Sequence, residues 1–129
     1  MEQCSNEAMT GCVFCKIVKS ELPSYKVYED KDFLAFLDIN PFGVGHTLVI
    51  PKKHYEWVWE VENYSEYFQK VKEIALLLKE KLGADWIQMG VIGIDVPHAH
   101  VHLTPHYKKP PKFATKDFTK IAEVLTINS

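Results

Sequence analysis

The sequence contains no arginine, so any phosphate that the protein binds must be held by backbone N–H groups, lysine or histidine. It also lacks an excess of positive charge, since 15 lysines face 17 acidic side chains and the formal net charge is -2. Broad affinity for nucleic acid depends on such an excess. A nucleic acid polymer is therefore a poor candidate partner.

Long hydrophobic runs are also missing from the sequence. No uninterrupted apolar run is longer than that of Ile74–Leu78, which Phe33–Leu37 equals, whereas a membrane span needs roughly 20 residues. The first eleven residues contain no apolar segment typical of a secretory signal. We therefore expect no membrane partner and a cytoplasmic location.

The length and composition predict one folded domain. The chain has 129 residues, of which 47% are hydrophobic and 25% are charged, which is typical of globular proteins with a real core. No internal repeat or low-complexity segment divides the sequence. We expect a flexible N-terminal tail over residues 1–11 and a single domain over residues 12–129.

Hydrophobic patterning predicts an α+β fold with an antiparallel sheet of about five strands. Apolar residues recur at helical spacing from Phe68 to Leu82, where Asn63 or Ser65 could begin the helix and Gly83 could end it. This is the one long helix. The expected strands cover residues 25–28, 33–37, 46–50, 86–94 and 99–103, and a short C-terminal helix covers residues 117–126.

The three cysteines form an odd set, in which Cys12 and Cys15 are separated by two residues. In a reducing compartment this spacing favours metal or redox chemistry over a disulfide framework. Two cysteines supply only half of a tetrahedral zinc site, so a pair of buried thiols remains an alternative.

Three of the six histidines fall at alternate positions, at His98, His100 and His102. On a β-strand this spacing would project all three imidazoles from one face, with Ala99 and Val101 on the other. Alternate residues on a strand are about 6.6–6.8 Å apart at Cα, which suits one anion better than three ligands of one metal. The pattern favours a phosphate site, and the alternative is a cluster of surface histidines.

The segment His98–Leu103 resembles the His-x-His-x-His motif, with x apolar, of the histidine triad (HIT) superfamily. Similar segments precede it in the family's order, at Cys12–Ile17, Phe36–Ile39, Gly45–Pro51 and Lys52–His54. The resemblance is to the Hint-like branch, which consists of small nucleotide-binding hydrolases. It implies a HIT-like fold, a purine nucleotide partner such as AMP or GMP, and a homodimer in which the long helix and an edge strand pair across a twofold axis.

The resemblance also implies a mechanism. His100 matches the residue that attacks the α-phosphate and forms a nucleotidyl-histidine intermediate, which water then hydrolyses. A neutral imidazole is a competent nucleophile near pH 7, which agrees with this role. His102 and His46 match residues that contact the phosphate and support the triad, although His46 could equally be a core histidine.

The same resemblance implies a metal and a nucleoside pocket. Members of the branch that keep the cysteine pair bind a structural Zn²⁺, and the matching ligands here are Cys12, Cys15, His54 and His98. Asp38 matches the carboxylate that accepts from ribose hydroxyls, although it could also form a turn. The positions that match the base pocket, which could alternatively be ordinary core, are Val13, Phe14, Ile17, Phe36, Ile39, Leu48 and Val96.

Three positions depart from the family pattern. Ile94 replaces a glutamine and Asp95 replaces a hydroxyl residue, and the usual groups help to hold phosphate and protonate the leaving group. Asp95 must either turn away from the anionic phosphate or bind it in protonated form and donate to the leaving group. His106 stands where an arginine often follows the motif.

The preferred interpretation is a hydrolase of nucleoside phosphoramidates or related nucleotidyl substrates. A nucleotide-binding or scaffold module with little turnover is the first alternative, motivated by Ile94 and Asp95. A dinucleoside polyphosphate hydrolase is the second alternative. The physiological substrate and the base preference do not follow from the sequence.

Overall fold

The computed structural model describes residues 12–94, 96–109 and 111–126; the predicted tail, residues 1–11, lies outside them. Five strands form one antiparallel sheet in the spatial order β1-β2-β3-β5-β4. This confirms the expected α+β class and strand number. The strands are β1 Lys26–Glu29, β2 Phe33–Leu37, β3 Thr47–Pro51, β4 Trp86–Gly90 and β5 Val101–His106.

Three α-helices accompany the sheet: α1 Val13–Val18, α2 Tyr64–Leu82 and α3 Phe118–Thr126. A 3-10 helix, Val58–Glu60, precedes α2. The long helix begins after Asn63 and ends at Gly83, as predicted, because Gly83 adopts the left-handed φ of 71° that closes a helix. No helix in the described ranges has the length and apolar character needed to cross a membrane.

The two faces of the sheet are covered by different helices. Helix α2 packs on one face, where the Tyr67 hydroxyl donates to the Val49 carbonyl at 2.6 Å. Helix α1 packs on the opposite face, against β2 and β3. Every residue of β2 and β3 is buried as a result, which explains why β2 is entirely apolar and β3 is apolar apart from Thr47. The smaller cluster on the α1 face contains Cys12, Phe14, Cys15, Ile17, Leu34, Phe36, Leu48 and Ile50.

The first hairpin has the polar turn that the sequence predicts. The Asp30 carboxylate accepts hydrogen bonds from the backbone N–H groups of Asp32 and Phe33, both at 2.8 Å. A side-chain acceptor of this kind replaces the backbone acceptor that the chain lacks while it reverses direction. This turn places Glu29 opposite Leu34 across the β1–β2 pair.

Two strand predictions were wrong in their limits. The strand expected over residues 86–94 ends at Gly90, and Gly93 then adopts a left-handed φ of 81° that is incompatible with a continuing strand. The strand expected over residues 99–103 begins only at Val101, because Ala99 donates its N–H to the Tyr55 carbonyl outside the sheet. His98 and His100 therefore precede β5 rather than lie on it.

Candidate active site and metal-binding cluster

The structure brings the three triad histidines together on the α1 side of the sheet. His98 and His100 are buried, and the rings of His100 and His102 are 4.9 Å apart between centroids. Phe14 of α1 packs edge-on against His98 at 5.9 Å and against His100 at 5.0 Å. The aromatic edges hold the imidazoles in fixed planes.

Local capping accounts for the position of Phe14. Cys12 is the N-cap of α1, and its sulfur accepts from the Cys15 backbone N–H at 3.3 Å. Helix α1 has only six residues, so its stability comes from packing rather than from helix propensity. The sequence signal for this helix was too short to be recognised, although its residues were named as candidates.

A backbone hydrogen bond defines the tautomer of His100. Its Nδ1 lies 2.7 Å from the His98 carbonyl oxygen, which can only accept, so Nδ1 carries the proton. The lone pair of the neutral ring is therefore on Nε2. This is the nitrogen that a nucleophilic histidine must present to phosphorus.

A second chain of hydrogen bonds defines the tautomers of His46 and His102. The Phe42 backbone N–H donates to His46 Nδ1 at 3.1 Å, so His46 carries its proton on Nε2. That Nε2 lies 3.0 Å from His102 Nδ1 and donates to it, which leaves the proton of His102 on Nε2. Burial lowers the pKa of His46, although the nearby Asp38 carboxylate opposes this effect. The lowered pKa keeps the His46 ring neutral.

The four predicted metal ligands form one cluster. Cys15 Sγ lies 3.1 Å from His54 Nδ1 and 3.4 Å from His98 Nδ1, and Cys12 Sγ lies 3.5 Å from His98 Nδ1. Tetrahedral zinc with its usual bond lengths separates sulfur and nitrogen ligands by roughly 3.5 Å. The donor set and its spacing are therefore compatible with zinc.

The protonation of this cluster also suits a metal. His98 donates from Nε2 to the Pro51 carbonyl at 2.8 Å, so its Nδ1 lone pair faces the two sulfurs. Burial lowers the pKa of His98 to about 4, which keeps its imidazole neutral as a metal ligand must be. Burial raises the pKa of the Cys12 thiol, so binding of a metal would have to release its proton.

The predicted nucleoside pocket corresponds to a cavity of about 300 Å³ beside the triad. Phe14 lines this cavity and also contacts His100, so the cavity adjoins the nucleophile candidate. Val96 does not line it and instead packs on the apolar cluster beneath. The lining residues that the sequence singled out are Val13, Phe14, Ile17, Phe36, Asp38, Ile39 and Leu48, and those that it missed are Leu22, Pro23, Ser24 and Leu37.

Asp38 lies where the cavity meets the histidines. One carboxylate oxygen accepts from the Asn40 N–H at 2.9 Å, which is the turn that the sequence offered as the alternative role. The other oxygen is 3.6 Å from His46 Nε2. Asp38, His46 and His102 also have ligand atoms within 4.8 Å of one another, but the His46–His102 hydrogen bond already uses the nitrogens that would bind a metal.

The departures from the motif have different outcomes. Ile94 is 82% exposed, so it contributes neither a hydrogen bond nor packing. Asp95 lies outside the described residues, and its role stays a prediction from the sequence. His106 stacks on Trp86 with the ring centroids 4.0 Å apart, a partner that sequence reasoning missed.

The sheet, the helix on each face and the histidine constellation define a domain of the histidine triad class. The family model described as the HIT domain matches residues 19–109, and the chain belongs to the HIT family. An uncharacterized HIT-like protein of Methanocaldococcus jannaschii is 45% identical over 104 residues, which are 75% of this chain and 80% of that protein.

Two further relatives have informative names. The adenosine 5′-monophosphoramidase of Saccharomyces cerevisiae is 37% identical over 100 residues, covering 74% of this chain and 62% of the yeast protein. A crystal structure of a zinc-bound histidine triad family protein from Mycobacterium smegmatis has a TM-score of 0.79 and 32% identity, and covers 91% of each chain.

Proposed function

We propose that this protein is a nucleotide hydrolase of the Hint type that cleaves nucleoside phosphoramidates through a nucleotidyl-His100 intermediate. The observation that carries the proposal is the 2.7 Å hydrogen bond from His100 Nδ1 to the His98 carbonyl, which places the reactive lone pair on Nε2. The similarity to a yeast adenosine 5′-monophosphoramidase supports the substrate class.

The proposed reaction has two displacements at phosphorus. His100 Nε2 forms a bond to the α-phosphorus while the bond from phosphorus to the amine breaks, and the departing amine takes up a proton. Water then attacks the phosphorus, the bond to His100 breaks, and the nucleoside monophosphate leaves. His102 donates its Nε2 proton to a phosphoryl oxygen in both steps, which replaces the arginine that the chain lacks.

Two groups could supply the proton that the departing amine takes up in the first step. Asp95 is one candidate, if it binds in protonated form, and solvent is the other if Asp95 turns away. The sequence favours the second arrangement, because Ile94 offers no hydrogen bond to hold a protonated carboxyl in place. An unchanged pH profile in Asp95→Asn, with a basic leaving group, would eliminate the acid role.

The cavity is the proposed binding site for the nucleoside. Its apolar walls suit a purine base, and the Asp38 carboxylate at its inner edge suits the ribose hydroxyls. The phosphate of a nucleotide bound in this way would extend toward His100, because Phe14 contributes to both places.

Incubation with an adenosine phosphoramidate tests the proposal. Wild-type protein should release AMP and, after rapid quenching in alkaline denaturant, which preserves the acid-labile phosphorus–nitrogen bond, mass spectrometry should show one adenylyl group on the peptide that contains His100. His100→Ala should lower the rate at least about 10³-fold. It should keep its circular dichroism spectrum and its affinity for AMP. Retention of activity in that variant would exclude the mechanism.

A nucleotide-binding module with little turnover is the second candidate. The exposed Ile94 favours it, because the glutamine expected there would help to hold phosphate, and an isoleucine side chain cannot. Tight AMP binding by the wild type, without product from any phosphoramidate, would select this function.

We also propose that the Cys12, Cys15, His54 and His98 cluster holds one structural zinc ion when its thiols are reduced. The zinc-bound relative and the donor set support this assignment. The ion would join α1 to the segment that carries His98, and so fix the nucleoside cavity against the triad. A reducing compartment such as the predicted cytoplasm would favour it.

A homodimer would cover the edge of the sheet. Strand β4 is an edge strand, and an apolar groove of about 310 Å³ lies between it and α2. Met89, which lines that groove, is 59% exposed. Met89→Glu should convert a dimer into a monomer in sedimentation velocity, whereas the matched surface variant Trp59→Glu should not. A monomeric wild type at micromolar concentration would exclude the dimer.

A further inference from the structure

An aromatic pair occupies the end of the sheet face that carries His102. Across the β4–β5 pair, Trp86 lies opposite His106, Gln88 opposite Thr104 and Gly90 opposite His102. Because side chains alternate along a strand, these six positions share one face. The face thus continues from the phosphate-directed imidazole to the Trp86–His106 pair.

The Trp86–His106 pair forms a flat platform, in which the imidazole supports one face of the indole. The two rings are 4.0 Å apart between centroids and only 6° from parallel. His106 Nε2 donates to Gln88 Oε1 at 2.8 Å, which holds the imidazole plane. The indole rests on this fixed ring, and yet 55% of Trp86 remains exposed. An exposed ring held in one orientation is suited to stacking with a planar ligand.

The platform lies on the other side of the triad from the nucleoside cavity. That cavity is built from α1, β2 and Leu48 of β3, whereas the platform is on β4 and the end of β5. In the sheet order β1-β2-β3-β5-β4, His102 therefore lies between the two. A substrate whose nucleoside fills the cavity and whose phosphorus lies at His100 would direct its leaving group toward Trp86.

Distance and charge define the leaving group further. His106 is four residues beyond His102, which is about 13 Å along the strand. Between them lie the exposed Gln88 and the buried Thr104, and both are uncharged. These two positions therefore supply no fixed cation to hold a polyphosphate linker. It would suit a neutral linker that carries a planar ring.

We infer that Trp86, backed by His106, is a specificity-determining residue that binds an aromatic or heteroaromatic ring on the leaving group of the substrate. This inference rests on the proposed function, because it names the leaving group of that reaction. The ring would stack on Trp86, and its linker would cross the exposed Gln88 to the scissile phosphorus.

Binding of uncleavable analogues tests the inference separately from turnover. Adenosine 5′-alkylphosphonates replace the scissile P–N bond with a P–C bond. Three are needed: the methylphosphonate, one with a naphthyl group on a six-carbon linker, and one with a decahydronaphthyl group on the same linker. Their affinities are measured by calorimetry for the wild type, Trp86→Leu and His106→Leu, with Trp59→Leu as the matched control.

The naphthyl compound should bind the wild type about three- to tenfold more tightly than the decahydronaphthyl compound. This ratio should fall to about one in Trp86→Leu, should decrease in His106→Leu, and should persist in Trp59→Leu. Affinity for the methylphosphonate should be equal in all four proteins. Such a pattern cannot arise from a general structural defect.

Three results would overturn the inference. Equal affinities of the wild type for the two bulky compounds would show that the platform selects no aromatic ring. Persistence of the ratio in Trp86→Leu would place the selecting group elsewhere. Loss of methylphosphonate affinity in that variant would assign Trp86 a structural role. If the wild type binds none of the three compounds, the proposed nucleotide site itself is wrong, and the subsite is wrong with it.

Discussion

The Nε2 atom of His46 lies 3.0 Å from Nδ1 of His102 and donates its proton there. The direction of this hydrogen bond follows from a second one. The Phe42 backbone N–H donates to His46 Nδ1, so the proton of His46 must be on Nε2. A backbone group thus dictates that His102 presents an N–H, rather than a lone pair, from Nε2. His100, oriented by the His98 carbonyl, presents the opposite polarity.

Two substitutions at His46 should separate its two hydrogen bonds. Glutamine can place a donor near the position of Nε2, whereas asparagine can place an acceptor near the position of Nδ1. His46→Gln should therefore retain more activity on an adenosine phosphoramidate than His46→Asn, by about tenfold, because donation to His102 is the function that matters. The measurement is kcat/KM, with AMP affinity and thermal unfolding as controls. Equal loss in both variants would argue against a directional relay.

The buried, neutral state of His46 should appear in the pH dependence of stability. Burial lowers the pKa of His46 in the folded protein below its ordinary value of 6.5, so the unfolded chain takes up a proton first as the pH falls. The stability contribution is complete above pH 6.5 and decreases as the pH falls toward the folded pKa. In urea unfolding of metal-free protein between pH 7.5 and 5.5, the free energy of unfolding should fall more steeply for wild type than for His46→Gln. The difference in slope should reach at most about 1.4 kcal/mol per pH unit. Identical slopes would contradict this account.

Zinc binding should depend on the redox state of the protein. Cys12 and Cys15 can bind the metal only as thiolates, and oxidation of either sulfur would remove it from the ligand set. Protein purified with a thiol reductant should contain about one zinc per chain by elemental analysis, and oxidised protein or Cys15→Ala should contain much less. Chelation of the reduced protein should lower its melting temperature, while the same chelator should leave Cys15→Ala unaffected. Equal zinc contents in the reduced and oxidised samples would place the metal elsewhere.

The parts of the fold that could be predicted from the sequence are those with a long apolar pattern or a clear end residue such as glycine. Helix α2 has five buried residues at helical spacing and a glycine end, and strand β2 is entirely apolar. Helix α1 escaped recognition because six residues give less than two helical turns of periodicity. The start of β5 escaped because it depends on where Ala99 donates its N–H, which is a tertiary contact.

The site divides in the same way. The metal-binding cluster could be predicted as a set of residues, because the spacing of Cys12 and Cys15 suggested half of a zinc site and the family resemblance supplied His54 and His98. The tautomers of His46 and His100 could not, because backbone groups of Phe42 and His98 determine them. The Trp86–His106 stack also required the register of β4 against β5, which no local pattern specifies.

The last prediction concerns Asp38, whose two oxygens have different tasks. One oxygen forms the turn to the Asn40 N–H, and we expect the other to accept from ribose hydroxyls. Asp38→Asn can keep the turn, because the amide oxygen also accepts, but it removes the charge and one acceptor. Wild type should bind AMP about tenfold or more tightly than 2′,3′-dideoxy-AMP, since a hydrogen bond to a charged group contributes roughly 1.5–3 kcal/mol. In Asp38→Asn this ratio should fall close to one, with little change in affinity for the dideoxy compound. The four affinities, of two proteins for two ligands, form a thermodynamic cycle. Effects of the missing hydroxyls on sugar conformation are the same for both proteins and therefore cancel. A preference for AMP that survives in Asp38→Asn would show that Asp38 serves only the turn, and that the ribose is bound elsewhere.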